Sequence, residues 1–232
     1  YAPAQVFTAL IQSFPHLEKL IRFRELIPGD PKDIENTRFK VTSFPVFHGE
    51  RSPGASMLLF TLDENRVLFT GDVLTPLLRA RDYDELKGVD MLVADANNRF
   101  PYPRSNHWSI DHESQLCHVP KNYLGTFMEK LHGSYLIAPH QRTTYHEKYH
   151  AYLDDYLQTG KDHACFTVFD LVLRIQPSRL HLVHYSGGED EKYHNQPRLT
   201  REQLEEWVAD RARGLDQELT AEVPMAGQKY QI

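Results

Sequence analysis

The chain has 232 residues, 41% of them hydrophobic and 25% charged, with a formal net charge of −6 when histidine is counted neutral. That is enough chain to bury a sizeable core, and the composition is that of a globular protein rather than a disordered one. No apolar run reaches the ~18 residues a membrane span needs, the negative charge argues against a general nucleic-acid coat, and two cysteines, Cys117 and Cys165, form no disulfide framework and point to a reducing, cytoplasmic setting.

Taken in order, Val6, Leu10, Ile11 and Phe14 recur at helical spacing and predict a short helix over 4–14. Ile21–Ile27 reads as a strand, followed by a turn at Pro28-Gly-Asp-Pro. Alternation around Phe39, Val41 and Phe44 predicts a strand over Thr37–Phe47, with Pro45 near its end, where a missing N–H costs least. Met57–Leu62 and Arg66–Thr70 read as two strands joined by the polar tight turn Asp63-Glu-Asn-Arg. A short helix closes at Leu86–Gly88, and a buried strand runs over Met91–Ala94 up to Asp95. Residues 97–108 read as loop and 109–175 as mostly helical, with Tyr123–His132 and Tyr145–Leu157 the clearest segments. Arg179–Val183 is another buried strand, ending at His184, with a polar loop from Ser186-Gly-Gly. Thr200-Arg-Glu-Gln203 has capping-box form and starts a helix through Leu204, Trp207, Val208 and Ala212. Strands near Leu219–Val223 and Gln228–Ile232 finish the chain. Strands interleaved with helices predict an α/β layered fold.

Three groups fall where apolar strands end: His48, Asp72 and His184, with Asp95 a candidate fourth. Imidazoles combined with a carboxylate suit zinc, manganese or iron. Taken alone, each has a bland reading: a histidine closing a strand, a turn aspartate after Gly71, a histidine hydrogen-bonded within the Tyr185-Ser-Gly-Gly loop. Asp95 reads first as a structural residue that fixes the following loop. His107 divides evenly between site and surface, and Trp108 reads as core. Arg99, Arg104 and Arg142 are candidate phosphate contacts.

These residues resemble the metallo-β-lactamase superfamily. The carriers are Pro45-Val-Phe-His48-Gly49 with Gly54 six residues after the histidine, Val67-Leu-Phe-Thr-Gly71-Asp72, and Leu180-His-Leu-Val-His184-Tyr-Ser186. The His48-to-Gly54 spacing, and Ala94-Asp95-Ala-Asn followed by Asn106-His107, are most similar to the ribonuclease Z and phosphoribosyl cyclic phosphodiesterase branch. The resemblance covers residues 1–112 and 175–232. It implies an α/β fold, an αββα sandwich, with 1–232 a single partial domain and 113–174 a helical insertion in it. It implies metal ligation by His48, Asp72 (bridging) and His184. It gives His107 and Asp72 catalytic roles and places Asn106 and Arg104 against substrate. It implies two divalent metal ions, zinc first with manganese or iron as alternatives, and hydrolysis of a phosphodiester. A small cyclic or nucleotide ester is favoured, with an RNA 3′ end as the alternative and a homodimer as a candidate assembly. The family's His-x-His-x-Asp-His signature is absent from these residues. The expectation is that it lies upstream of Tyr1, a start without methionine; its loss would leave a catalytically inactive scaffold.

One competing motif is His146-Glu-Lys-Tyr-His150, the zincin pattern, which puts two histidines on one helical face. Lys148 inside it and the lack of a placed third ligand favour a solvated helix instead. Tyr145, Tyr149, Tyr152 and Tyr156 make a helical stripe, expected to be core rather than a base-stacking platform.

Overall fold

The computed structural model describes residues 1–48, 52, 54–102, 105–112 and 147–230. The α/β architecture is present: one eight-stranded mixed sheet with helices packed on it. The strands are β1 (Lys32–Asp33), β2 (Phe39–Phe47), β3 (Ser56–Leu62), β4 (Asn65–Phe69), β5 (Thr75–Pro76), β6 (Met91–Asp95), β7 (Arg179–Val183) and β8 (Thr220–Glu222). Their order is β1-β2-β3-β4-β6-β7-β8, with β5 pairing β2 off the main path. The helices are α1 (Ala4–Ser13), α2 (Ala80–Leu86), α3 (Glu147–Thr159), α4 (Val168–Ile175), α5 (Gly188–His194) and α6 (Arg201–Arg213).

The pairing sense fixes where the strands end. β2 and β4 each run antiparallel to β3, so they share a direction. β6, β7 and β8 then continue parallel to β4. The C-terminal ends of β2, β4, β6 and β7 therefore meet at one rim, where α/β sheets present their chemistry.

Alternation sorts the side chains between two faces. Phe44, Met57, Leu59, Leu68, Leu92, Leu180 and Leu182 share one core with Leu86 of α2, Phe169 and Leu171 of α4, and Leu204 and Val208 of α6. On the other face Leu58, Phe60 and Val93 are half-buried, and Phe69 is 44% exposed. That is the apolar face a layer of a sandwich carries.

Several expected elements differ. Ile21–Ile27 is not a strand; it touches the β structure through the single bridge Ala2↔Glu25. Phe23 instead stacks on Phe7 of α1 at 4.2 Å, and Pro28 and Gly29 (φ 75°) then turn the chain. The polar stretch after Ser186 folds as α5, with Glu189, Asp190 and Glu191 in its first turn and Lys192 and His194 in its last. That charge order suits a helix dipole. Residues 228–230 carry no strand. Of the expected insertion, the described part is helical: α3, a 3-10 turn at Lys161–His163, and α4. The Tyr123–His132 segment, His146 and Tyr145 lie outside the described residues. Tyr149, Tyr152 and Tyr156 are buried with Phe47, Leu77 and Leu153, so the stripe is core. Tyr152 Oη also donates to Asp82 Oδ2 at 2.6 Å, and Asp82 pairs with Arg79 at 2.7 Å. This ties α3 to α2.

His112 and Asp170 link the end of the 97–112 segment to the first turn of α4, at 2.9 Å. The Asp170 hydrogen bond raises the His112 pKa above its usual value, with burial opposing it. Burial pushes Asp170 up, but His112 and the N–H groups of Phe166 and Thr167 outweigh it and hold Asp170 low. The raised histidine contributes stability below its unfolded pKa of about 6.5. That contribution is lost as pH rises through the folded value. The depressed aspartate contributes above its unfolded value of about 3.9 and is lost as pH falls through the folded one. In His112→Asn, denaturation midpoints compared across pH 5.5–8.5 should show less decline on the alkaline side than in the parent. Because His112 is 47% exposed, the effect is modest. An unaltered pH profile would show that the pair has no such linkage.

Candidate metal centre

At the rim, local chemistry aims each side chain. Thr70 is fully buried; its hydroxyl accepts from the Asp95 N–H at 2.9 Å and donates to the Gly71 carbonyl at 2.8 Å. This locks the ends of β4 and β6 together. Gly71, at φ 59°, turns the chain so that Asp72 stands at the rim. On β7 the register pairs Val183 with Asp95, so His184 follows immediately beyond it. His184 has φ 68°, a left-handed conformation costing roughly 1–2 kcal/mol in a residue with a Cβ. Strain of this kind persists only where the surroundings over-determine it.

Asp72, Asp95, His107 and His184 each bring one ligand-type atom to within 4.8 Å of all the others. Among the described residues this is the one such group of three or more. His184 Nδ1 lies 3.3 Å from Asp72 Oδ1 and 3.3 Å from Asp95 Oδ1. Asp95 is 1% exposed, Asp72 55% and His184 45%. The site is therefore a buried carboxylate at the base with an open mouth.

Asp95 does two things. Its Oδ2 accepts from Val73 N at 3.1 Å, Trp108 N at 3.4 Å and His107 Nδ1 at 2.9 Å. Those bonds fix the 97–108 loop against the strand ends, which is the structural role expected for it. Its Oδ1 is buried and has no hydrogen-bond donor; the His184 contact at 3.3 Å does not meet hydrogen-bond geometry. An unsatisfied carboxylate oxygen in a buried position is costly. A cation beside Asp72, Asp95 and His184 would satisfy it, so the donor set fits a divalent metal ion.

His107 is brought to the centre by its loop. Asn97 N donates to Trp108 O at 3.1 Å, Ile110 N to Asn98 O at 2.9 Å, and the Ser105 hydroxyl to His107 O at 2.6 Å. Asp190, fully buried, accepts from Arg99 N and Phe100 N and pairs with the Arg99 guanidinium at 3.3 Å. Arg99 is thus an internal anchor of the loop and not a phosphate contact. Trp108 is fully buried in the core. With Nδ1–H donating to a carboxylate, His107 leaves Nε2 for another partner.

His48 lies beside this group. Its ring centroid is 4.9 Å from that of His107, which is in turn 4.7 Å from that of His184. His48 Nδ1 donates to the Asn106 carbonyl at 2.7 Å. A ring N–H fixed on a backbone carbonyl is the usual support for a histidine that ligates through its other nitrogen. Asn106 contributes that carbonyl and is itself exposed, whereas Arg104 and Gly49 lie outside the described residues. Of the zincin pattern, Glu147 and His150 are on α3; His150 is 3% exposed on the face that carries buried Tyr149 and Leu153, and neither residue belongs to the metal-type group.

Sequence reasoning placed Asp95 mainly in a structural role, and the structure adds the unsatisfied oxygen. The signal was there: Asp95, like Asp72, follows an apolar strand. Arg198 and Arg201, which line a groove together with His184, carried no sequence signal, because α5 and its following loop separate them from it.

Geometry of this kind defines the class: an α/β sheet whose strand ends converge on a carboxylate and imidazole cluster suited to a divalent metal. No family model matches the sequence and no curated protein matches it. Among solved structures, the chain is similar to the metallo-β-lactamase fold protein YhfI from Bacillus subtilis (TM-score 0.43, 10% identity, covering 92% of this chain and 60% of that one). It is similar to a diphosphatase from the PhnP family (TM-score 0.46, 11% identity, 100% and 58%). It is also similar to Igni18, a metallo hydrolase from the archaeon Ignicoccus hospitalis (TM-score 0.48, 10% identity, 98% and 65%). The chain spans about three-fifths of the length of these structures. At this identity the likeness describes chain trace and not chemistry. No helix among the described residues is long and apolar enough to cross a membrane.

Proposed function

We propose that the chain carries the strand-end portion of a metal-dependent hydrolase of metallo-β-lactamase type, and that its substrate is a phosphodiester, a small cyclic or nucleotide ester in the first place. The observation that supports this is Asp95 Oδ1, buried, without a donor, and facing His184 within the Asp72–Asp95–His107–His184 group. Asp72, His184 and Asp95 Oδ1 would hold one divalent ion. With Asp72 shared, His48 Nε2 would belong to a second. Oxygen and imidazole donors together favour zinc, manganese or iron. A divalent ion held there would supply Lewis-acid polarisation of a phosphoryl oxygen and of an attacking water.

The chain's own residues supply the rest. Asp95 holds His107 in the tautomer that keeps Nε2 free to face substrate. As an imidazolium, His107 donates from Nε2 to a non-bridging oxygen or to the leaving oxygen. Asp72 and His184, each about half exposed, leave that side of the group open among the described residues.

His107→Ala in the full-length protein is the direct test. Turnover of bis(p-nitrophenyl) phosphate should fall by roughly 10²–10⁴-fold while metal content stays at the parent value. Unchanged turnover would return His107 to a surface role. Loss of metal in step with activity would make it a ligand instead.

A further inference from the structure

A pocket of about 20 Å³ lies against His107, at the same rim as the metal centre. Leu74, the second residue after Asp72, and Phe166, just before α4, form two of its walls, and Pro101 and Tyr102 of the 97–108 loop form another. A space of this size takes one water or about one or two heavy atoms of a ligand.

The fold holds these walls in place. Leu74 N donates to Phe47 O at 2.7 Å, and Phe166 N donates to Asp170 Oδ2 at 2.8 Å. Tyr102 is buried, and its ring stacks on that of Tyr193 at 5.0 Å. Two serines bring hydroxyls to the lining. That of Ser105 is committed twice over, donating to His107 O at 2.6 Å and accepting from His107 N at 3.0 Å. Ser109 is different. It is 2% exposed and its backbone is pinned, its carbonyl accepting from Val168 N at 2.9 Å, yet its hydroxyl has no hydrogen-bond partner among the described residues. A hydroxyl withdrawn from water and left unpaired is costly. This one borders a small space with mostly apolar walls, so it calls for a small ligand group that carries one hydrogen-bonding atom.

We infer that this pocket seats the end of a short hydroxyalkyl arm on the alcohol of the substrate ester, with the arm's hydroxyl on Ser109 and its carbons against Leu74 and Phe166. The inference rests on the phosphodiesterase reading above: a phosphate at Asp72 and His184, with His107 on one of its oxygens, brings the first carbons of the alcohol to the pocket. Ser109 is then a specificity-determining residue. A purely alkyl arm of the same length would leave its hydroxyl unmatched, and a site built to bond a substrate hydroxyl discriminates against the analogue that lacks one.

The test uses full-length protein with zinc present and two phosphate monoesters of matched length, 2-hydroxyethyl phosphate and propyl phosphate, which have no second ester bond to cleave. In calorimetry the parent should bind the hydroxyethyl ester roughly tenfold more tightly, the worth of one well-placed hydrogen bond. Ser109→Ala should erase that preference. Because the Ser109 hydroxyl has no partner to lose among the described residues, the variant should keep the denaturation midpoint of the parent. Equal binding of the two esters by the parent overturns the inference and leaves the pocket to a water. A preference that survives Ser109→Ala overturns it as well. Turnover of bis(p-nitrophenyl) phosphate, measured alongside, reports on the phosphodiesterase reading separately. Turnover without a Ser109-dependent preference removes the arm pocket and leaves that reading standing. A Ser109-dependent preference without turnover upholds the pocket and removes that reading.

Discussion

Asp72→Ala is expected to lower the affinity for divalent metal by on the order of 10²-fold or more, since loss of a ligand costs at least as much as loss of its supporting contacts. Elemental analysis after dialysis of full-length protein should then show metal below the parent stoichiometry. The variant should remain folded. Asp72 is 55% exposed, and among the described residues its one ion-pair contact is to His184 at 3.3 Å. An unfolding free energy within about 0.5 kcal/mol of the parent, measured in chelator, would separate metal loss from misfolding. Unchanged metal content would remove Asp72, and with it the shared-ligand arrangement. The same experiment on His48→Ala asks a different question, because His48 stands one imidazole away from the tight group. Metal loss there would support a second position.

Asp95→Ala should destabilise the fold by roughly 2–5 kcal/mol in denaturant titrations. Asp95 is 1% exposed, and its removal strands the Val73 and Trp108 N–H groups and the His107 ring N–H. Asp95→Asn tests the other role. It keeps the volume and an acceptor oxygen but removes the charge, so most of the fold stability should survive while metal affinity falls. Metal that binds only the folded chain raises its apparent stability by mass action. Chelator should therefore lower the Tm of the parent and leave the Tm of Asp95→Asn nearly unmoved. A parent Tm indifferent to both zinc and chelator would sink the metal-centre reading.

Much of this site was legible because apolar strands announce their own ends. Phe44–Phe47, Val67–Phe69, Met91–Ala94 and Leu180–Val183 are short apolar runs of strand length, and a histidine or aspartate after such a run is conspicuous. Even so, the run does not state the pairing. That β4, β6 and β7 lie side by side and parallel depends on the connections and on the shared core with α2, α4 and α6. The failures have physical causes too. Ile21–Ile27 has the alternation of a strand, but Phe23 finds a better partner in Phe7 than in a ladder. The Ser186 stretch looked like loop because Gly187-Gly188 are weak helix formers; the helix exists because the acids after them sit at its N-terminus and Asp190 is drawn inward by Arg99.

The amino-acid sequence by itself determined the α/β class, the long apolar strands β2, β3, β4, β6 and β7, and the identity of His48, Asp72 and His184 as strand-end groups, since these follow from local apolar patterning. Only the tertiary structure decided that Asp95 faces His184 with an unsatisfied oxygen and that His107 swings in to meet it from twelve residues away. Contacts between residues far apart in the chain are set by loop paths and packing, and no periodicity in the sequence encodes where a loop returns.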